Sequence, residues 1–210
     1  GSNVSMPFSV RIDRTKPAGS TVAFTLTVTA DGNYTKALSF QFGITMNVWS
    51  TATTQNNAVS TAAYAQAYPE IASDGQGGGF IVWLDRRSGS DYDVYAQKVK
   101  VGGVVPMPEI PICVAAHDQY EPKVAADGAN GAIVVWTDLR SGRSYDIYAQ
   151  RLNSAGVPQW TSGGVPVASV ANSDELSPRV IGDGAGGAIV AWLAKRGMTG
   201  WDIYAQKINA

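Results

Sequence analysis

The chain has 210 residues, 16 Lys and Arg against 17 Asp and Glu, a formal net charge of −1 and a pI near 5.8. That balance gives no reason to expect nucleic acid or an anionic membrane as a partner. A single cysteine, Cys113, excludes an intrachain disulfide, and with one His it excludes a zinc site; the longest apolar runs, such as Ala132 to Trp136, are too short to span a bilayer.

Charged residues are scarce at 16% and Gly numbers 23, a profile of short strands and tight turns rather than long helices. Six Trp and nine Tyr supply the core that disulfides do not. The Gly1-Ser2 start reads as a remnant of expression, so a piece of a longer protein is expected, and the missing secretion signal is uninformative.

Residues 1–48 share nothing with the rest of the chain. Phe8–Ile12, Thr21–Thr29 and Lys36–Gly43 alternate apolar and polar residues, the pattern of half-buried strands. Lys16-Pro-Ala-Gly19 and Ala30-Asp-Gly-Asn33 are turns between them. Three strands make a marginal unit, so 1–48 is expected to be part of a β-sandwich. The stretch from Pro17 to Gly32 resembles the last strands of Ig-like modules that follow catalytic domains in secreted bacterial proteases.

Residues 49–210 hold one sentence three times. Trp83, Trp136 and Trp192 are equivalent, as are Asp74, Asp127 and Asp183, and the copies lie 53 and then 56 positions apart. Repetition at this period marks blades, arrays or solenoids. In the middle copy, Lys123–Ala126 is a short strand and Asp127–Gly131 a hairpin turn. Ala132–Thr137 is apolar on both sides and reads as buried on both faces. Asp146–Leu152 is a third strand, and Gly164–Ser169 a Pro-containing edge strand. Four antiparallel strands per repeat describe a propeller blade.

The frame of the repeat is shifted. The third copy stops after its third strand, and a matching piece, Trp49–Ser60, precedes the first copy. A blade-closing strand at about 54–62, pairing with Asp202–Ile208, is expected from that, since it would remove two raw sheet edges. Three blades are few for a ring. Truncation, a six-bladed dimer, tight closure of three blades or a head-to-tail assembly through shared strands all remain open.

The repeat, Asp-Gly-x-x-Gly-x-[Ile/Phe]-Val-x-Trp followed by Asp-[Ile/Val]-Tyr-Ala-Gln, resembles a β-propeller repeat common in large secreted bacterial proteins. The resemblance implies an extracellular or cell-surface setting and no particular chemistry.

Asp85, Arg87 and Asp93 recur as Asp138, Arg140 and Asp146, while the third copy has Ala194, Arg196 and Asp202. Glycoside hydrolysis needs two carboxylates about 5–10 Å apart. A catalytic pair should occur once, however, so a repeated set points to each Arg holding an Asp and fixing a loop. The Asp-Gly turns could suggest calcium, but their spacing suits hairpin chemistry, and no cofactor or metal is expected. Gln97, Gln150 and Gln206 should be hydrogen-bonded locks between strand and loop or blade and blade. Trp83, Trp136 and Trp192 should be core. Tyr92, Tyr145 and Trp201, with Arg87, Arg140 and Arg196, are the candidate contacts to a ligand or partner. Cys113 reads as a small buried hydrophobe.

The expected class is all-β: a propeller-like array of three four-stranded blades after a short sandwich-like segment. The expected role is a non-catalytic extracellular binding or assembly module, with a protein or glycan as partner, self-association through shared strands, no nucleic acid and no membrane insertion. The alternative is a carbohydrate-active propeller enzyme, a glycosidase or lyase. Asymmetry separates the two, because an active site should show acidic residues unique to one repeat and pointing at the axis. Glu70, Glu109, Glu121 and Glu175 are expected in linkers or outer strands, which weighs against the enzyme.

Overall fold

The computed structural model describes residues 21–30, 34–43, 49, 54, 56–104, 108–197 and 200–210. The chain divides into two compact units, Gly1–Val48 and Trp49–Ala210. In the first, β1 (Thr21–Ala30) and β2 (Tyr34–Gly43) pair antiparallel in unbroken register, from Thr21 opposite Gly43 to Ala30 opposite Tyr34. The expected strand Phe8–Ile12, the Lys16–Gly19 turn and residues 31–33 lie outside the described residues.

The second unit is built from three repeat sheets. The first holds β3 (Gln66–Ser73), β4 (Gly79–Asp85), β5 (Asp93–Lys100), β6 (Gly103–Val104) and β7 (Ile110–Cys113). The second holds β8 (Gln119–Ala126), β9 (Ala132–Asp138), β10 (Asp146–Leu152) and β11 (Val165–Ala168). The third holds β12 (Glu175–Gly182), β13 (Ala188–Ala194) and β14 (Asp202–Ile208). All neighbours pair antiparallel, and no helix occurs among the described residues.

The core lies between successive sheets. Side chains alternate across a strand, so Ala132, Val134 and Trp136 of β9 pack with Phe80, Val82 and Leu84 of the first sheet. Ile133 and Val135 turn the other way, onto Ala188, Val190 and Trp192 of the third. This explains why β9 is buried throughout: it is a strand covered on both faces. Sheets stacked face to face in sequence order, each with its first strand beside that of the next, make the fold β-propeller-like.

Each first strand carries the same irregularity. Register breaks between Ala67 and Glu70, Tyr120 and Lys123, and Leu176 and Arg179. Tyr68, Glu121 and Ser177 sit there at φ of 53°, 48° and 55°. Each precedes a proline, whose ring disfavours the right-handed helical region for its predecessor. These bulges swing three different side chains out of the ladder at equivalent places.

The expected blade-closing strand is corrected. The described residues in 54–62 form no strand, and among the described residues β14 pairs with β13 alone. The stretch from Gln55 to Ser60 is polar and lacks the Xaa-Pro-Xaa apolar pattern of β7 and β11, so it has little to bury against a third strand. The consequence is visible at one repeat position: Val94 and Ile147 are 0% exposed, whereas Ile203 is 80% exposed.

Candidate functional site

The repeated Asp–Arg pair is a local brace. In the first sheet the Asp85 carboxylate accepts from Trp83 Nε1 at 2.9 Å, and from Arg87 N, Nε and Nη2 at 2.9, 2.8 and 2.6 Å. In the second, Asp138 accepts from Trp136 Nε1 at 2.7 Å and from Arg140 N, Nε and Nη2 at 2.8, 2.8 and 2.7 Å. The guanidinium lies over the ring of Tyr95 at 3.8 Å or Tyr148 at 3.6 Å. Burial works against ionisation of Asp85, but Arg87 and Trp83 outweigh it and hold the carboxyl below its usual range. Arg87 and Arg140 are therefore engaged by the Asp of their own sheets, as the repetition implies, and Arg140 also donates to Cys113 Sγ of the first sheet at 3.3 Å.

The third sheet solves the same problem differently. Ala194 stands where Asp85 and Asp138 stand, and its cross-strand partner is Glu175, where the other sheets have Gln66 and Gln119. The carboxylate has moved across the strand pair. Glu175 is fully buried and meets Arg196 Nε at 3.5 Å. Arg196 keeps its place over Tyr204 at 3.8 Å. Trp192 Nε1, deprived of its aspartate, has no hydrogen-bond partner among the described residues, nor has either carboxylate oxygen of Glu175. The expectation that the glutamates fall in linkers or outer strands is corrected: Glu70, Glu121 and Glu175 lie in the first strands β3, β8 and β12.

The Asp-Gly turns are hairpin chemistry. Asp127 Oδ1 accepts from Ala129 N and Gly131 N at 2.7 and 2.8 Å, and Asp74 and Asp183 repeat the arrangement. Each has a cation beside it: Lys98, Arg151 or Lys207. At Asp74 burial opposes ionisation, yet the turn N–H groups and Lys98 prevail and lower its pKa. Among the described residues no group of three or more His, Cys, Asp or Glu could hold a metal ion.

Tyr92 and Tyr145 are half-buried and gripped by the next sheet. Tyr92 N donates to Asp118 Oδ1 and Tyr92 O accepts from Gln119 N, both at 2.8 Å. Tyr145 does the same with Asp174 and Glu175. Trp201 is 48% exposed. Gln150 is the expected lock: its amide donates to Thr161 O at 2.9 Å and accepts from Trp160 N at 2.9 Å. Gln97 is likewise buried, but Gln206 is exposed, because no connector to a fourth strand covers it among the described residues. The three Arg and three aromatic candidates are spread one to a sheet and do not converge. Cys113 is buried beside Asp138 and Arg140 of the second sheet, and burial followed by Asp138 pushes its thiol up to about 12.

Asymmetry appears in the first sheet. Asp91 and Glu109 have Ser144 and a glycine at the corresponding places in the second. Glu109 pairs with Arg87, where Arg140 instead donates to Gly163 O at 2.7 Å. An open cleft of about 450 Å³ is lined by Arg87, Asp91, Asp93 and Tyr95 with Val114 and Ala115. Asp93 lies directly opposite Asp85 across β4 and β5. Burial first, then Asp91, Asp85 and Asp118, pushes the Asp93 carboxyl up to about 6 against the pull of Arg87. Asp146 is raised too, chiefly by burial, with the Ser169 hydrogen bond opposing. Sequence reasoning places Glu109 in a linker, where it lies, and passes over Asp91 because it compares residues shared by the copies.

No family model matches the chain, and no curated protein matches it. Among solved structures, an endo-arabinase from Bacteroides thetaiotaomicron is similar with a TM-score of 0.47 at 13% identity, over 93% of this chain and 73% of that one. An alpha-L-arabinanase from Penicillium chrysogenum, complexed with arabinobiose, is similar with a TM-score of 0.37 at 13% identity, over 87% of this chain and 55% of that one. At this identity the likeness gives no residue of this chain a role. The expectation of a non-catalytic binding or assembly module, with the enzyme as the less favoured alternative, is nevertheless corrected. Both similar structures are enzymes by name.

Proposed function

We propose that the chain is the propeller-like part, three blades after the end of an Ig-like module, of an extracellular carbohydrate-active enzyme that hydrolyses glycosidic bonds. The observation that carries this reading is an open cleft lined by two carboxyls, Asp91 and the buried Asp93, where burial and then Asp91 push the Asp93 carboxyl up to about 6. Glycoside hydrolysis needs an acid that still holds its proton near neutrality and another carboxylate beside it. Asp93 gives its proton to the leaving glycosidic oxygen. Asp91 takes a proton from the attacking water, whose oxygen forms the new bond to the anomeric carbon. Asp85, fully buried and braced by Arg87, touches no substrate; its charge keeps the Asp93 proton in place.

The test is release of reducing ends from a panel of neutral polysaccharides, arabinan and xylan among them. Asp93→Asn and Asp91→Asn should each lower turnover at least about 100-fold, while Asp146→Asn, at the equivalent place in the second sheet, should leave it unchanged. No release by the parent chain, or an equal loss in Asp146→Asn, overturns the proposal.

A further inference from the structure

A second cleft, of about 310 Å³, opens between the second and third sheets, lined by Tyr120, Glu121, Thr137, Tyr145, Leu176 and Ser177. Its lining is not repeated between the first and second sheets. There the same repeat positions hold Ala67, Tyr68, Leu84, Tyr92, Tyr120 and Glu121.

Thr137 is the informative residue. The repeat places Leu84 and Leu193 at its position. Thr137 is 1% exposed, and its hydroxyl has no hydrogen-bond partner among the described residues. A buried hydroxyl without a partner costs stability that leucine would not. Such a group is expected where a ligand completes the bond. Around it, Tyr120 and Tyr145 meet edge to face at 6.0 Å, with Tyr120 held by its hydroxyl on Asp118 at 2.8 Å. Ser177 Oγ donates to Glu121 Oε1 at 3.4 Å across the sheet boundary.

The lining offers aromatic faces, three kinds of hydroxyl and one carboxylate acceptor, and no cationic side chain. That set suits a neutral polyol ring, which stacks its C–H face on an aromatic ring and exchanges hydrogen bonds with hydroxyls. The volume lies at the small end of ligand sites, roughly 300–1,000 Å³. We infer that the cleft between the second and third sheets binds a neutral sugar ring, with Thr137 and Glu121 as its polar contacts and Tyr145 as its stacking surface. This site is separate from the Asp93 cleft and does not rest on hydrolysis there.

Saturation-transfer NMR on the full chain, with arabinobiose, xylobiose and cellobiose as probes, tests it. At least one sugar should bind. Thr137→Val, which keeps the shape and the strand, should weaken binding about five- to tenfold, and Tyr145→Ala should abolish it. Asp93→Asn should bind as the parent does, even where turnover is lost. Overturning results are no binding by any sugar, unchanged affinity in Thr137→Val, loss of binding in Asp93→Asn, or binding of tetramethylammonium in place of the sugars.

Discussion

Returning the third sheet to the arrangement of the other two should stabilise the protein, and only as a pair of changes. In Glu175→Gln/Ala194→Asp the new aspartate takes the place of Asp85 and Asp138, each of which accepts four hydrogen bonds from one Trp and one Arg. At present Trp192 Nε1 is buried without a partner among the described residues, and the Glu175 carboxylate pairs with Arg196 at 3.5 Å without a hydrogen bond there. The Arg196 bonds replace the present pair with Glu175, and the bond that satisfies Trp192 is the new one. A charge-assisted bond contributes about 1.5–3 kcal/mol, so the net gain is about 2 kcal/mol. Ala194→Asp alone sets a second buried carboxylate opposite Glu175 and should destabilise by about as much. Glu175→Gln alone loses the ion pair and still leaves Trp192 unsatisfied. Urea unfolding followed by circular dichroism reads the difference: with m of about 2 kcal/mol/M, the double variant's midpoint rises by about 1 M. A coupling energy below about 0.5 kcal/mol between the two changes refutes the compensation.

Asp93→Asn should alter the pH dependence of stability as well as activity. The folded carboxyl titrates at about 6 against 3.8 for the ordinary group. The folded state therefore keeps a proton that the unfolded chain has lost, and the contribution, full below the lower value, disappears as pH rises through the upper one. The variant's stability relative to the parent should rise by up to about 3 kcal/mol between about pH 4 and pH 7; a flat difference in unfolding midpoints contradicts the assigned environment. Ile203→Lys on β14 should change stability by no more than about 0.5 kcal/mol, because the side chain is already 80% exposed. It should also reduce aggregation at the β14 edge, which has no partner strand among the described residues, whereas Ile147→Lys, at the buried equivalent position, should prevent folding. Cys113 should resist iodoacetamide at neutral pH in the folded protein and react on unfolding, since burial keeps its thiol protonated.

Much of the fold is legible because the signals are local. The Asp-Gly turns, the β-branched run from Ala132 to Thr137 and the Asp-Ile-Tyr-Ala-Gln strand each follow from backbone preferences and period-2 alternation, and the observed β9 and β10 match those readings. The brace of Arg140 on Asp138 could be anticipated from its repetition. The candidate site was less legible. Glu175 was misplaced because the repeat was read forward from the proline, while β12 begins three residues before it. The closing strand failed because a match in spacing from Trp49 carried no apolar pattern. Thr137 drew no attention in sequence: a hydroxyl in an apolar run says nothing until its surroundings are known.

By itself, the sequence determined the unit: where strands begin and turn, which residues brace each sheet and which Trp fill the core. These depend on neighbours in the chain, and each copy restates them. Only the tertiary structure decided what differs between copies. It set Glu175 against Ala194, opened a cleft at Thr137 and gathered Asp91, Asp85 and Asp118 around the Asp93 carboxyl. These contacts join residues of different strands or sheets, whose distances sequence spacing does not encode, and burial there sets which carboxyl keeps its proton.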